Sequence, residues 1–186
     1  ANFMLKAYIA AVIGGWGRLH GAALGALMIG VFETAVATMR SGLAQWRARG
    51  SRLGLSYFLC LYAEALAAAG AREEGRAAVA EASRFAEETG ERFWLPELHR
   101  VRGSLHQAGA AADAGQAEAS FQAALALAGS QGARALQLRA AISLHLLAES
   151  QGRAAQTLPL LTEACAGLEA GKGTADRRAA ERLLGV

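Results

Sequence analysis

The sequence predicts an all-α chain, an array of antiparallel helical hairpins preceded by one apolar helix of membrane-spanning length. Three observations carry this. Beyond Met39 the chain is rich in Ala, Leu, Glu, Arg and Gln, and only two prolines occur in all 186 residues, a composition that favours helix over sheet. Apolar residues there recur with the helical period, and glycines interrupt them at regular places. Before Arg40 the only charged side chains are Lys6, Arg18 and Glu33, whereas all the others follow Met39. The chain therefore reads as two segments, an apolar helical stretch over 1–39 and a helical array over 42–186.

In the first segment, Gly21 to Met39 is apolar except for Glu33, close to the length that crosses a bilayer core as helix. Gly21 and Gly25, and Ala26 and Gly30, stand four apart, which lines small residues along one helix face where another helix can approach. A shorter apolar run, Ala7 to Gly17, is broken by Gly14, Gly15 and Gly17. In the second segment, Leu55 to Ala69 predicts a buried helix ended by Gly70. Arg72 to Thr89 places Gly75, Ala78, Val79, Ala82, Phe85 and Ala86 on one face and most of its charges on the other. Gly90 is the next stop, and Pro96 suits a helix's first turn, where its missing N–H costs nothing.

The plan then recurs. Pro96 to Gln107 pairs with Gln116 to Ala128, and Ala133 to Ser150 with Ala154 to Leu168. Each second helix carries a small residue, an apolar one four later and Ala three after that: Gly75, Val79, Ala82; Ala117, Phe121, Ala124; and Thr157, Leu161, Ala164. Such a stripe lets a partner helix pack closely. The period is about forty residues, longer than the roughly 34 of a regular tetratricopeptide unit and nearer the span of HEAT-type units; because helix length varies, the array is expected to be tetratricopeptide-like and degenerate. A last helix, Ala175 to Leu184, with Thr174 as N-cap, would cover the end of the stack.

Two resemblances rest on these residues. GERFWLPELHRVRG (90–103), AEASFQAALALAGSQGARALQLRAAISLHLL (117–147) and GTADRRAAERLL (173–184) resemble the tetratricopeptide region at the C-terminal end of large bacterial adenylate or guanylate cyclases and ATPase-type transcriptional regulators. His106, Gln107 and His145 stand where that family is usually Leu- or Arg-rich. In such proteins the catalytic domains precede the repeats, so the resemblance implies a scaffold without catalysis. LKAYIAAVIGGWGRLHGAALGALMIGVFETAV (5–36) is similar to the C-terminal part of LivH-like branched-chain amino acid ABC transporter permeases. A single fragment of that kind implies no transport.

Other chemistry is poorly supplied. Gly15, Gly17 and Gly21 have the spacing GxGxxxG rather than the dinucleotide fingerprint GxGxxG, and no second strand ending in an acidic residue follows. Gly171 to Thr174 lacks the first glycine and the Ser or Thr of a phosphate-binding loop. His99 and His106 are too far apart on one helix to share a zinc ion, and His145 among leucines reads as a core histidine. Cys60 and Cys165 have no neighbouring Cys and read as buried thiols of a reducing compartment. Charges of both signs alternate along the helices, which argues against a nucleic-acid surface despite a net charge of +3. No cofactor, metal or catalytic residue is expected.

The function expected is a non-catalytic protein-interaction scaffold or regulatory module. Its peptide-binding groove would be lined by the first helices of the pairs, with Tyr57, Leu61, Glu64, His99, Arg102, His106 and Arg139 as candidates. Other readings are a membrane-transport component, touching the membrane through 21–39, and the sensory part of a cyclase or ATPase. Cytoplasmic repeats anchored at a membrane, a protein or peptide partner and self-association complete the expectation.

Overall fold

A computed structural model describes residues 19–108, 113–168 and 173–186, with side chains described from residue 30 onward. Among these residues the chain is all-helical. The eight helices are α1 (Leu19–Ala48), α2 (Leu55–Ala68), α3 (Arg72–Thr89), α4 (Leu95–Gln107), α5 (Ala114–Ser130), α6 (Arg134–Ser150), α7 (Ala154–Ala166) and α8 (Ala175–Leu184). Their ends follow local chemistry. Gly70, Gly90, Gly132 and Gly152 all have φ between 66° and 80°, a left-handed conformation that glycine adopts without a Cβ penalty and that stops a helix. Asp113 accepts a 2.9 Å bond from the Gln116 N–H, and Thr174 accepts one of 3.3 Å from the Arg177 N–H, so each caps the helix that follows. Pro96 lies in the first turn of α4. Pro159 lies inside α7, where it leaves the Ala155 carbonyl without its usual donor.

Consecutive helices pack as the hairpins α2 with α3, α4 with α5, and α6 with α7. The first helices also touch in series: α2 meets α4, α4 meets α6, and α6 meets α8. The small-large-small stripes form the hairpin interiors. Gly75, Val79 and Ala82 are buried, as are Ala117, Phe121 and Ala124, and Leu161 and Ala164. Phe121 is fully buried against Gly103 of α4, where a Cβ would stand 2.5 Å from the ring. In the first hairpin a Cβ on Gly75 would meet Leu105 at 3.1 Å and the Ala63 carbonyl at 3.3 Å. Thr157, half-buried, places its hydroxyl 2.9 Å from Nδ1 of the buried His145, which satisfies that core histidine.

α1 carries the chain through the composition change at Met39 to Gly42 without a break. Val36 and Leu43, one on either side of it, belong to the same buried cluster as Leu59, Cys60 and Val79. Arg40 donates to Glu74 at 2.7 Å and Arg47 to Glu81 at 2.5 Å. The rise in charge at Arg40 thus coincides with α1 meeting the acidic face of α3. Among the described residues no helix is long and apolar enough to cross a membrane. The stretch 21–29 of the expected span lies outside the described side chains, and residues 1–18, with the glycines of the GxGxxxG run before Gly21, lie outside the described residues.

Candidate peptide-binding surface

The functional candidates sit around α4, whose two faces differ. On the face toward the other first helices, Glu97 is buried in the first turn, 1% exposed. It accepts a 2.8 Å bond from Arg100 and a 2.5 Å ion pair from Arg139 of α6. Arg100 also pairs with Glu64 of α2, and Arg139 reaches Asp176 of α8 at 3.6 Å. Glu64, Arg100, Glu97, Arg139 and Asp176 thus alternate in sign across four helices. Burial is the largest influence on the Arg100 guanidinium and acts to lower its pKa, but the hydrogen bonds and charges of Glu97 and Glu64 together hold it above the ordinary value. Beside this chain of charges, burial first, then Glu97 and Glu64, push the Cys60 thiol far up, so it stays protonated and inert.

Aromatic side chains flank the same face. Tyr57 stacks on Trp94, ring centroids 4.0 Å apart, and Phe93 meets Trp94 edge-on at 4.8 Å. Ser56, buried in α2, donates to Glu91 at 2.6 Å and ties α2 to the segment entering α4. Tyr57, Leu61 and Glu64, one helical stripe of α2, are all half-buried. This leaves an amphipathic strip with apolar rings at one end and fixed charges along it.

The other candidates lie elsewhere. His99, Arg102 and His106 occupy the opposite face of α4. Arg102 donates to Ser83 of α3 at 2.9 Å. Arg102 and His106 line a cleft of about 290 Å³ with Arg76, Val79, Ala80 and Leu105. Burial and then the Arg102 charge lower the His99 pKa below its ordinary 6.5. The seven residues therefore divide between two surfaces. Tyr57, Leu61, Glu64 and Arg139 face the first-helix side, and the other three face the second helices. The division follows from helix phase: positions 99, 102 and 106 share one stripe, and positions 97, 100 and 104 share another. Sequence reading missed Glu97, Arg100 and Asp176, the members that join the charges into one chain. A carboxylate directly after Pro96 reads as an ordinary first-turn acid; its burial is set by Arg139 on another hairpin.

This geometry presents aromatic rings and fixed charges on one strip. Among the described residues, no group of three or more His, Cys, Asp or Glu side chains is placed to bind a metal ion.

No family model matches the chain. It is similar to an uncharacterized protein of Rhizobium meliloti (strain 1021), with 36% identity over 140 residues. That similarity covers 75% of this chain but 13% of the relative, so the matched segment is a small part of a much longer protein.

Proposed function

We propose that this chain is a non-catalytic, tetratricopeptide-like scaffold that holds a peptide segment of a protein partner along its first helices. The observation that carries the reading is the serial contact of α2, α4, α6 and α8, with the Tyr57 and Trp94 rings and the alternating charges arrayed on it. A second support is the spacing of the ties between hairpins, which runs from 34 residues to the 42 between Glu97 and Arg139 and is shortest nearest the start of the array. Side-chain bonds join residues 34 apart (Arg40 and Glu74, Arg47 and Glu81), 35 apart (Ser56 and Glu91, Glu118 and Arg153) and 36 apart (Glu64 and Arg100). Equivalent positions of neighbouring units meet at near-constant separation in a solenoid, and roughly 34 residues is the tetratricopeptide period. The embedding of the similar segment within a much longer Rhizobium protein is in keeping with a second, compatible role as a module of a larger protein.

The test is selection of ligands from a random-peptide display library, followed by titration of the selected peptides. Leu61→Asp, on the first-helix surface, is expected to weaken binding at least tenfold, whereas His106→Ala, on the opposite face of α4, leaves it unchanged. Peptides that lose affinity with His106→Ala but not with Leu61→Asp would move the site to the second helices. Failure to select any ligand would count against the scaffold reading.

A further inference from the structure

The clefts between neighbouring helices differ in how their charges are met. In the cleft between α1 and α3, Arg40 and Arg47 pair with Glu74 and Glu81, all four lining it. In the cleft between α5 and α7, Arg153 pairs with Glu118, and in the cleft between α7 and α8, Arg177 pairs with Glu181. The cleft of about 290 Å³ between α3 and α4 departs from this pattern. It brings Arg76, Arg102 and His106 together over Val79, Ala80 and Leu105, with no acid in its lining.

Arg76 is already engaged. It pairs with Glu73, and its Nη2 donates to the Leu105 carbonyl at 3.3 Å. Arg102 is half-buried, yet among the described residues it makes no ion pair and a single hydrogen bond, to the Ser83 hydroxyl at 2.9 Å. That hydroxyl donates in turn to the Val79 carbonyl at 2.9 Å, so the guanidinium is held in place by one edge. Its other N–H groups, of the five that a planar guanidinium carries, have no acceptor among the described residues. The Arg102 charge is felt at His99, whose pKa burial and then Arg102 lower. His106 stands one turn further along the same face of α4 and offers a second nitrogen beside Arg102. The stretches whose side chains are not described contain one acidic residue, Glu169. It follows Leu168, which Arg177 of α8 holds at the α8 end of the array, and residues 109–112, next to the end of α4, are Gly and Ala.

We propose that this cleft is a second docking site, which takes from a protein partner a segment with one carboxylate side chain beside one apolar side chain. Arg102 and His106 hold the carboxylate, and the apolar side chain rests on Val79, Ala80 and Leu105. The planar fork of a guanidinium matches a carboxylate in two-point contact, and such charge-assisted bonds are the strong ones. A polyanion fits worse, because Glu73 stands 87% exposed beside Arg76 and repels further negative charge. The site lies on the second-helix side of α4, apart from the first-helix strip, so either can fail alone.

The probe is a display library of dodecapeptides with Leu-Glu fixed at the centre, panned on the full chain beside the same library with Leu-Gln. Enrichment from the Leu-Glu library is expected. In the selected peptides, Glu replaced by Gln should weaken binding by about tenfold or more, the worth of one charged hydrogen bond. Arg102→Gln in the protein should remove that difference, whereas Leu61→Asp leaves it unchanged. The Nε–H resonance of Arg102 in the unmodified chain should shift on titration with the Glu peptide and stay in place with the Gln peptide, a readout that needs no folded variant. No enrichment, equal affinity of the two peptides, or a preference that survives Arg102→Gln would each overturn the proposal. Loss of binding with Leu61→Asp would overturn it too, by placing the peptides on the first helices. Binding here with none at the first helices would sustain this site and count against the strip.

Discussion

α4 is held on one side by shape and on another by charge. Toward α5 it presents Gly103, and the fully buried Phe121 ring occupies the room that a side chain would take. Toward α2 and α6 it presents Arg100 and the buried Glu97, tied to Glu64 and Arg139. The first contact is specified by volume, and it rewards any neighbour that leaves the same space. The second is specified by sign and reach, and each buried member depends on its partners staying charged. Hairpin stacking in this chain therefore adds sign and reach to the apolar contacts that Leu98, Val101 and Leu105 make with the first hairpin.

The most severe way to test that contrast is to empty the steric side. Phe121→Ala is expected to destabilise the fold by about 3 to 5 kcal/mol, from lost burial plus the cavity left behind, measured by denaturant unfolding monitored by circular dichroism. Gly103→Ala overpacks the same spot and is expected to cost about 1 to 3 kcal/mol alone. In the Phe121→Ala background it should cost less, because the ring it collides with has gone. Additive effects would show that the two residues do not meet.

On the charged side, Glu97→Ala is expected to cost about 3 kcal/mol, because Arg100 stays buried with one acid fewer. Glu97→Ala combined with Arg100→Met should recover part of that loss, which no steric explanation provides. Unchanged stability in the single variant would place the cohesion of the first helices elsewhere.

The smallest expected effect sits between these two sides, at His99. Burial and Arg102 lower its pKa in the folded chain, so the unfolded chain takes up the proton first as pH falls. Its stabilising contribution is complete above the unfolded value near 6.5 and declines as pH drops through that value toward the lower folded one. Melting temperature followed from pH 8 to pH 5 should show that decline, and His99→Gln should flatten it. A decline of equal size in the variant would assign it to other groups.

The hairpins were legible because their signals are local. Glycines at the stops and helical spacing of the stripes fix where helices end and which face is buried, and α3 and α8 begin and end where the sequence places them. α5 begins earlier than expected, at Ala114, because Asp113 caps it; within AGAAADAG that single Asp was the available sign. The candidate surface was half legible. Periodicity puts Tyr57, Leu61 and Glu64 on one stripe of α2, but it does not say which stripe of α4 faces α2 and α6. That choice is made by Glu97 and Arg139, which come together only after two hairpins have stacked. The composition change near Met39 was a real signal of changing surroundings, yet it carried no information about continuity of the helix across it.

The ties between hairpins reach about forty positions along the chain, the length of one hairpin and little more. A growing chain thus needs only one further hairpin before the previous one finds its partners: once α6 has emerged from the ribosome, Arg139 can reach Glu97. Assembly can follow synthesis from one end, with closure entropy met in short instalments. The same shortness means that Arg177, whose guanidinium donates to the carbonyls of Cys165 and Leu168, fastens α8 to the end of α7. Translation that stops before α8 leaves the end of α7 without that clasp, and there a protease would find its first foothold.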